Sequence, residues 1–286
     1  MNTDCILCHL QRNTAVARTL GTAEQLDEFT KELLKMYLRV PENTSTTWAE
    51  PHTDKLYRRI YGIDYDRFGE EKAFSNRFVL ERMDQIRARV EKAKDPVYAG
   101  LQFAVLGNYI DFSALHGEVS FEMLDELLEK AETMELDRQV YEKLCHDLEQ
   151  GKNLLYLTDN AGEIGFDRIF AEELAAKYPH LEILFCVRGD ICLNDATRAD
   201  AAAVGIPFPV IDNGNRVPGT QIDLLSPEAK EALDTADVIL AKGMANCETM
   251  HGCGYNVYYA FLVKCQRFVT RFGKPMLTPM FVKERT

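Results

Sequence analysis

An apolar run that ends abruptly in an acidic turn, Leu154–Gly165, constrains the fold of this chain more than any other stretch. The run is followed at once by Asp159, Asn160 and Glu163, and then by a helix-like pattern. A buried strand that opens into a helix is typical of a parallel α/β sheet, in which ligands gather outside the carboxyl ends of the strands. Asp159 and Asn160 offer oxygen ligands for a hard divalent cation. The alternative is an ordinary strand–helix turn, in which one of the two caps the next helix.

Short apolar runs alternate with helical patterns throughout the second half of the chain. The predicted strands are Asn153–Thr158, Leu181–Val187, Phe208–Ile211, Val238–Ala241 and a short last one at Met276–Leu277. The predicted helices are Ile164–Lys177, Asp195–Val204, Pro227–Thr235 and Tyr255–Phe272. Strands that alternate with helices predict βαβ units and a mostly parallel, Rossmann-like sheet.

The first half of the chain carries mainly helical patterns. Apolar residues recur at helix spacing over Phe29–Tyr37 and Phe121–Leu128, and Ser75–Ala93 is predicted to be a charged amphipathic helix. Pro41–Thr47 and Glu50–Asp54 are predicted to be loops. We therefore predict an α/β protein with a mainly helical domain over residues 1–150 and an α/β domain over residues 151–286.

Composition excludes several classes of function. The chain has 286 residues and a net charge of -12, which argues against binding nucleic acid through a generally basic surface. It contains no run of about 20 apolar residues, so no membrane span is predicted, and its first residues lack the pattern of a signal peptide. A cytoplasmic protein is the expectation. The eight cysteines are then expected to be reduced thiols, metal ligands or redox groups rather than a disulfide framework.

Three further predicted strands also end in polar clusters. These clusters are Arg188–Thr197, Asp212–Thr220 and Lys242–Thr249. Because the carboxyl ends of parallel strands lie at one edge of a sheet, all four strand ends are expected to converge. Metal-type oxygens of Asp159, Asn160 and Asp195 together with the cation of Lys242 form a combination suited to phosphate ester chemistry.

Several common phosphate and nucleotide motifs are missing from the sequence. It has no G-x-x-x-x-G-K-[ST] loop and no G-x-G-x-x-G after a strand, which argues against a nucleotide motor or a dinucleotide enzyme. The first strand does not end in two alternate aspartates, and there is no G-x-S-x-G elbow.

The ordered set of strand-end motifs resembles the metal-dependent damage-control phosphatase family, first catalogued as domain of unknown function 89. The residues that carry the resemblance are Asp159–Glu163, Arg188-Gly189 with Leu193–Thr197, Pro218–Thr220, and Lys242-Gly243 with Asn246. Three further segments resemble motifs of the CxxC-bearing branch of that family, namely Gly107–Phe112, Cys5-x-x-Cys8 and Lys264-Cys265. The resemblance extends over nearly the whole chain.

The resemblance implies an enzyme that hydrolyses small phosphate monoesters, such as phosphosugars or damaged phosphometabolites. One divalent ion (magnesium, manganese, cobalt or nickel) would be held by Asp159, Asn160 and Asp195. The residues implied to contact the substrate are Lys242, at its phosphate, and Asn108, Asp111, Arg188, Gly243 and Asn246. The sequence departs from the family pattern at Met244-Ala245, where a Gln-Gly-like pair is expected, and at Cys247, where an aromatic is expected.

Three residues are assigned catalytic roles in the expected mechanism. Asp159 or Glu163 orients a water for in-line attack, while Lys242 and backbone N–H groups hold the phosphoryl oxygens. Glu163 has an alternative role as an acid in the first turn of the helix, where the helix dipole favours negative charge.

The CxxC pair has two interpretations. Cys5 and Cys8 have a metal-binding spacing, but a thiolate metal site needs further ligands, which Cys265 supplies only if the two ends of the chain meet. The alternative is that these are buried structural thiols.

Two other functions compete with the phosphatase. One is a Rossmann-like methyltransferase, against which stands the absence of a glycine-rich loop after the first strand. The other is a non-catalytic protein that binds metal through its thiols. The expected partner is a small phosphorylated metabolite, with no nucleic acid and no membrane, and the residues do not specify an oligomeric state.

Overall fold

The computed structural model describes residues 1–41, 44–63, 68–110, 126 and 128–284. Asp111 and most of the predicted helical stretch Phe121–Leu128 lie outside these ranges.

The described part of the first 150 residues is helical. The helices are α1 Thr3–Ala17, α2 Ala23–Tyr37, α3 Glu50–Tyr61, α4 Gly69–Lys92, α5 Pro96–Gly107 and α6 Arg138–Gln150. Short 3-10 turns occupy Thr46–Trp48 and Asn108–Ile110. Side chains that accept backbone N–H bonds fix the starts of α1, α2, α5 and α6, namely Asn2, Thr22, Asp95 and Asp137. The prediction of a loop over Glu50–Asp54 was wrong, because Pro51 stands in the first turn of α3, where its missing N–H has no cost.

The second half of the chain forms one six-stranded sheet. Its strands are β1 Asn153–Leu157, β2 Glu182–Val187, β3 Val210–Asp212, β4 Val238–Lys242, β5 Val257–Leu262 and β6 Pro279–Lys283. Their order is β3-β2-β1-β4-β5-β6, and every pairing is parallel except β5 with β6. The intervening helices are α7 Glu163–Lys177, α8 Arg198–Ala203, α9 Pro227–Thr235, α10 Gly243–Thr249 and α11 Gln266–Phe272. This confirms the predicted fold class, a mostly parallel Rossmann-like sheet with a helical N-terminal region.

The C-terminal elements differ from the prediction. The predicted long helix Tyr255–Phe272 was wrong, because Val257–Leu262 is strand β5 and only the last part is helical. All six residues of β5 are buried, so the strand is apolar on both faces and lacks the alternation that distinguishes a half-exposed strand from a buried helix. The predicted strand Met276–Leu277 was also wrong. Leu277 is left-handed, with φ of 62°, and belongs to the turn before β6.

Two groups of helices pack differently against the rest of the molecule. Residues of α5, such as Leu101 and Val105, share one hydrophobic core with Tyr156 of β1 and Phe170 of α7. Helices α1–α3 enclose a core of their own, to which Leu193 from the loop after β2 adds its side chain. The predicted domain boundary near residue 151 lies between α6 and β1, and it stays a prediction about folding units.

Among the described residues, every helix is too short or too polar to span a lipid bilayer.

The contribution of the shared core to stability can be tested at Phe170. Its side chain is 1% exposed, and its ring packs edge-on against Tyr156, with ring centroids 6.4 Å apart. Phe170→Ala is expected to lower the free energy of unfolding by about 3–5 kcal/mol, because it leaves a cavity in that core. Urea unfolding followed by circular dichroism measures the change. Lys143→Ala, on the exposed face of α6, is the control and is expected to stay within about 0.5 kcal/mol of the wild type. A loss below about 1 kcal/mol for Phe170→Ala would contradict the shared core.

Candidate active site

The acidic turn after β1 and the loop after β2 are joined by backbone hydrogen bonds. The amide of Ala161 donates to the carbonyl of Asn194 at 2.9 Å, and the amide of Ala196 donates to the carbonyl of Asp159 at 2.7 Å. These bonds form a short antiparallel bridge. The bridge brings Asp195 next to the acidic turn, although the two are far apart in sequence.

A cavity of about 170 Å³ opens at this edge of the sheet. Four of the predicted site residues line it, namely Asn108, Asp159, Asn160 and Asp195. The helical region contributes the opposite wall through α1, α3 and the turn between α2 and α3. The loops that follow β1, β2, β3 and β4 all contribute to the lining, so the four strand ends converge, as the parallel topology requires.

Two carboxamides orient the acidic turn. Asn160 donates its Nδ2 hydrogens to Asp159 Oδ2 and to Glu163 Oε2, each at 2.8 Å. Asn108 Nδ2 donates to the same two oxygens at 3.0 Å, while its Oδ1 accepts from the amide of Leu262 at 3.1 Å. Both Nδ2 hydrogens of Asn160 are donated to carboxylates. The oxygen Oδ1 is therefore the atom with which this residue can bind a cation.

Glu163 lies behind the cavity wall and is fully buried. Its Oε1 accepts from Lys242 Nζ at 2.7 Å, and its Oε2 accepts from the side chains of Asn108 and Asn160. Both carboxylate oxygens are thus engaged in holding other site residues. This position favours the alternative considered for Glu163, an acid in the first helical turn, over the expected role in orienting water.

Lys242 occupies a different place from the one expected of it. Its side chain is 1% exposed, and its ammonium donates to Glu163 Oε1, to Asp167 Oδ1 at 2.6 Å and to the carbonyl of Ala104 at 2.7 Å. Burial alone would lower the pKa of Lys242, but the carboxylates of Asp167 and Glu163 outweigh it and raise that pKa. All three ammonium hydrogens are used inside the protein in this geometry, and the contact between Lys242 and a substrate phosphate stays a prediction.

Asp167 is a buried acid that the sequence interpretation missed. Its Oδ1 accepts from Tyr156 and from Lys242, whereas its Oδ2 has no hydrogen-bond partner among the described residues. Burial raises the pKa of Asp167 to about 7, against the opposing effect of Lys242. The available signal was the spacing, since positions four apart on a helix share a face and Asp167 follows Glu163 by four.

Arg188 and Asn246, both predicted to bind substrate, are buried beside the loops that they hold. Arg188 Nε donates to Asp195 Oδ2 at 2.8 Å, and its Nη1 donates to the carbonyl of Gly219. Asn246 Nδ2 donates to the carbonyls of Thr158 and Lys242 at 3.2 and 2.7 Å. Neither is among the residues that line the cavity; in this structure they hold Asp195 and the loop after β4, and their contact with a substrate stays a prediction.

Gly243, whose predicted substrate contact stays a prediction, meets a steric requirement of the site. Its φ is 78°, and a Cβ at this position would overlap the carboxylate of Asp159. Only glycine therefore allows Asp159 to keep its place against the first turn of α10.

Four charged residues to which the sequence assigned no role in the site also line the cavity. They are Arg12 of α1, Glu50 of α3, Glu248 of α10 and Lys264, which follows β5. Arg12 forms an ion pair with Glu50. A signal existed for Lys264, since it is a polar residue at a strand end, but the prediction of a helix over Tyr255–Phe272 concealed it. No local pattern marks Arg12, which comes from another part of the chain.

The two ends of the chain meet beside this site. Helix α1 contacts α11, and Arg267 Nη1 donates to Cys5 Sγ at 3.9 Å. Even so, the described ranges contain no group of three or more His, Cys, Asp or Glu side chains that could hold a metal. Cys8 is exposed, and burial raises the thiol pKa of both Cys5 and Cys265. The predicted second metal site of these three cysteines is not assembled in this arrangement.

The donor set at the strand ends fits a hard divalent cation. It consists of two carboxylates, Asp159 and Asp195, and the amide oxygen of Asn160, all lining one cavity. Hard cations prefer such oxygen ligands and accept water to complete their coordination.

Comparison with known proteins identifies a family over almost the whole chain. The sequence model of the damage-control phosphatase ARMT1-like domain matches residues 1–277. A damage-control phosphatase of Archaeoglobus fulgidus is 30% identical over 278 residues, which cover 94% of each chain. A damage-control phosphatase of Pyrococcus horikoshii is 32% identical over 214 residues, covering 74% of this chain and 71% of that protein. An uncharacterized protein of Methanocaldococcus jannaschii is 28% identical over 289 residues, covering 94% of this chain and 91% of that protein.

The fold agrees with a solved structure. The crystal structure of a DUF89 family protein from Pyrococcus horikoshii superposes with a TM-score of 0.82 at 25% sequence identity. The match covers 100% of this chain and 99% of that one.

Gly243→Ala tests the contact between α10 and the acidic turn. The added methyl group is expected to displace Asp159 and weaken manganese binding at least about tenfold, as disturbed support of metal ligands typically does. Isothermal titration calorimetry measures the affinity. Gly252→Ala is the matched control, because Gly252 has a φ of 77° and nothing within 4 Å of an added Cβ. Equal affinities in the two variants would contradict the steric explanation.

Proposed function

We propose that this chain, which belongs to the damage-control phosphatase ARMT1-like family, is a divalent-metal-dependent phosphatase that hydrolyses small phosphate monoesters. Two relatives are named damage-control phosphatases, which supports phosphorylated sugars or damaged phosphometabolites as substrates. The single observation that carries the proposal is one cavity lined by Asp159, Asn160 and Asp195 and also by the cations of Lys264 and Arg12.

In this proposal Asp159, Asn160 and Asp195 hold the divalent ion. When bound there, such an ion offsets negative charge on phosphoryl oxygens and lowers the pKa of a bound water. Oxygen ligands of this kind suit magnesium, manganese, cobalt and nickel.

The residues behind the ligands keep them in fixed orientations. Arg188 holds the Asp195 carboxylate at 2.8 Å, and Asn108 holds that of Asp159 at 3.0 Å. Both supporting residues are at most 5% exposed, so water does not compete for these bonds. Fixed dipoles and charges need no reorganisation during reaction, which is the main source of electrostatic catalysis.

Lys264 and Arg12 are assigned to the phosphoryl oxygens, the role first expected of Lys242. Both line the cavity together with Asp159 and Asn160 of the acidic turn. Hydrogen bonds from a cation to a phosphate are short and strong, and two such donors fix the phosphoryl group between them and the metal ligands.

Orientation of the attacking water is assigned to Asp159. Asp159 lines the cavity, whereas Glu163 is fully buried and uses both carboxylate oxygens on Lys242 and the two carboxamides. Of the two acids considered for this step, Asp159 alone faces the space in which a substrate would lie.

The residues that line the cavity also favour this function over a methyltransferase. None of the described residues that line it is aromatic, so none can stack on an adenine ring. Its polar lining, with Thr46, Thr47 and Glu50 on the helical side, suits the hydroxyl groups of a small phosphorylated metabolite.

Asp159→Asn tests the function directly. The variant is expected to lose at least about 10²-fold in the turnover of p-nitrophenyl phosphate and of a sugar phosphate panel, because it removes a ligand charge from the site. The assay is run with magnesium, manganese, cobalt and nickel in turn. Chelator should abolish the activity of the wild type, and added metal should restore it.

Asp190→Asn is the control for this experiment, because Asp190 lies in the loop after β2 with its side chain 60% exposed. Its activity should equal that of the wild type. Wild-type hydrolysis that persists in chelator, or full activity in Asp159→Asn, would refute metal-dependent phosphatase action.

Lys264→Gln tests the phosphate contact. The substitution is expected to raise KM about tenfold or more, since a hydrogen bond to a charged group contributes about 1.5–3 kcal/mol. Steady-state kinetics at saturating metal measures the change. Lys274→Gln removes an exposed lysine from the same C-terminal region and should leave KM unchanged. An unchanged KM in Lys264→Gln would show that this lysine does not bind the phosphate.

A further inference from the structure

We infer that Asp167 is a positioning residue, which fixes the metal-ligand turn through Lys242 and Glu163 without touching metal or substrate. The inference rests on the metal site proposed above and assigns a role to a side chain deep beneath it. Asp167 lies on α7, and it is fully buried below the turn that carries Asp159 and Asn160.

A continuous series of hydrogen bonds leads from Asp167 to the ligands. Tyr156 donates to Asp167 Oδ1 at 2.8 Å, and Lys242 donates to the same oxygen at 2.6 Å. Lys242 then donates to Glu163 Oε1 at 2.7 Å, and Glu163 Oε2 accepts from Asn160 at 2.8 Å. Every residue in the series is buried, with an exposure of at most 3%.

The geometry of Lys242 makes Asp167 necessary to the arrangement. An ammonium group has three hydrogens, and those of Lys242 are directed to Ala104, Glu163 and Asp167. Without the Asp167 carboxylate, one hydrogen loses its charged acceptor in a site that water does not reach. The ammonium is then free to shift, and it carries the Glu163 carboxylate with it.

The direction of Glu163 decides which atom Asn160 offers to a cation. Glu163 Oε2 attracts the Nδ2 hydrogens of Asn160 and Asn108, which turns the amide oxygen of Asn160 to the other side. A displaced Glu163 would allow this carboxamide to rotate and present hydrogen instead of oxygen. Loss of Asp167 is therefore expected to weaken metal binding.

A contribution to stability does not explain the buried network of Asp167, Lys242 and Glu163. Asp167 Oδ2 is buried without a hydrogen-bond partner among the described residues, which costs free energy. Buried ion networks of this kind also contribute little net stability, because desolvation offsets the attraction between the charges. A positioning function accounts for keeping a charged group in so unfavourable a place.

Asp167→Asn in the full-length protein tests the inference. The variant keeps the size of the side chain but removes its charge, and its manganese dissociation constant is expected to rise about 10- to 100-fold. Electron paramagnetic resonance of free manganese measures the constant without any assay of activity. In steady-state kinetics, kcat should recover most of its wild-type value as manganese is raised, with KM for the substrate unchanged, since Asp167 lies outside the cavity.

Asp147→Asn is the matched control. Asp147 accepts from Lys283 Nζ at 2.7 Å and from Tyr258 at 2.6 Å, so it combines the same three residue types away from the cavity. It is expected to lower the melting temperature and leave manganese binding unchanged. An affinity in Asp167→Asn within twofold of the wild type, or an equal loss in Asp147→Asn, would overturn the inference.

Tyr156→Phe covers the case in which Asp167→Asn does not fold. It removes one hydrogen bond to Asp167 but keeps the ring, which stacks on Phe185 with centroids 4.7 Å apart. A manganese dissociation constant raised at least about threefold supports the inference, and an unchanged one refutes it. A wild-type protein that binds none of manganese, magnesium, cobalt and nickel would instead refute the proposed metal-dependent function, so the two failures are distinguishable.

Discussion

The buried ammonium of Lys242 is the interaction on which the rest of the site depends. It joins three elements at one point, namely the end of β4, the first turns of α7 and the backbone of α5 at Ala104. A charge so deeply buried is tolerated only when all its hydrogens are accepted. The same contact that ties the helical region to the sheet therefore also fixes Glu163, and through it the acidic turn. The hydrogen bonds of Lys242 thus both connect the helical region to the sheet and position the acidic turn.

Two layers of polar residues can be distinguished around the carboxyl ends of the strands. Side chains of the outer layer, such as Asp159 and Asp195, line the cavity, whereas those of the inner layer, such as Arg188 and Glu163, bond to them from behind. Sequence motifs mark both layers equally, because both belong to the same strand-end loops. Only the three-dimensional arrangement separates the residues that meet a ligand from those that hold them.

Much of this molecule could be predicted from its sequence, and the failures have physical causes. The strand-end rule located the cavity and three of its predicted residues, Asp159, Asn160 and Asp195, because parallel topology forces such loops together. It failed at β5, because a strand that is buried on both faces shows no alternation of apolar and polar residues. Lys264 was therefore not recognised as a residue at a strand end. It also failed for Arg12, which reaches the cavity from a helix near the other end of the chain. Lys242 was placed correctly at the edge, but its burial and its acceptors inside the protein could not be deduced from a motif.

Leu193 has a consequence for when the site can form. It adopts a left-handed backbone, with φ of 49°, and its side chain packs into the separate core of α1–α3, two residues before Asp195. The loop that carries this acid is thus anchored by helices made early in translation, while Lys264 is among the last cavity residues to leave the ribosome. Contacts between such distant parts of a chain form slowly, because loop closure must precede them. Because Tyr258 and Leu262 of β5 belong to the core shared with α5 and α7, and Lys264 follows the same strand, that core and the cavity are both complete only once β5 has joined the sheet.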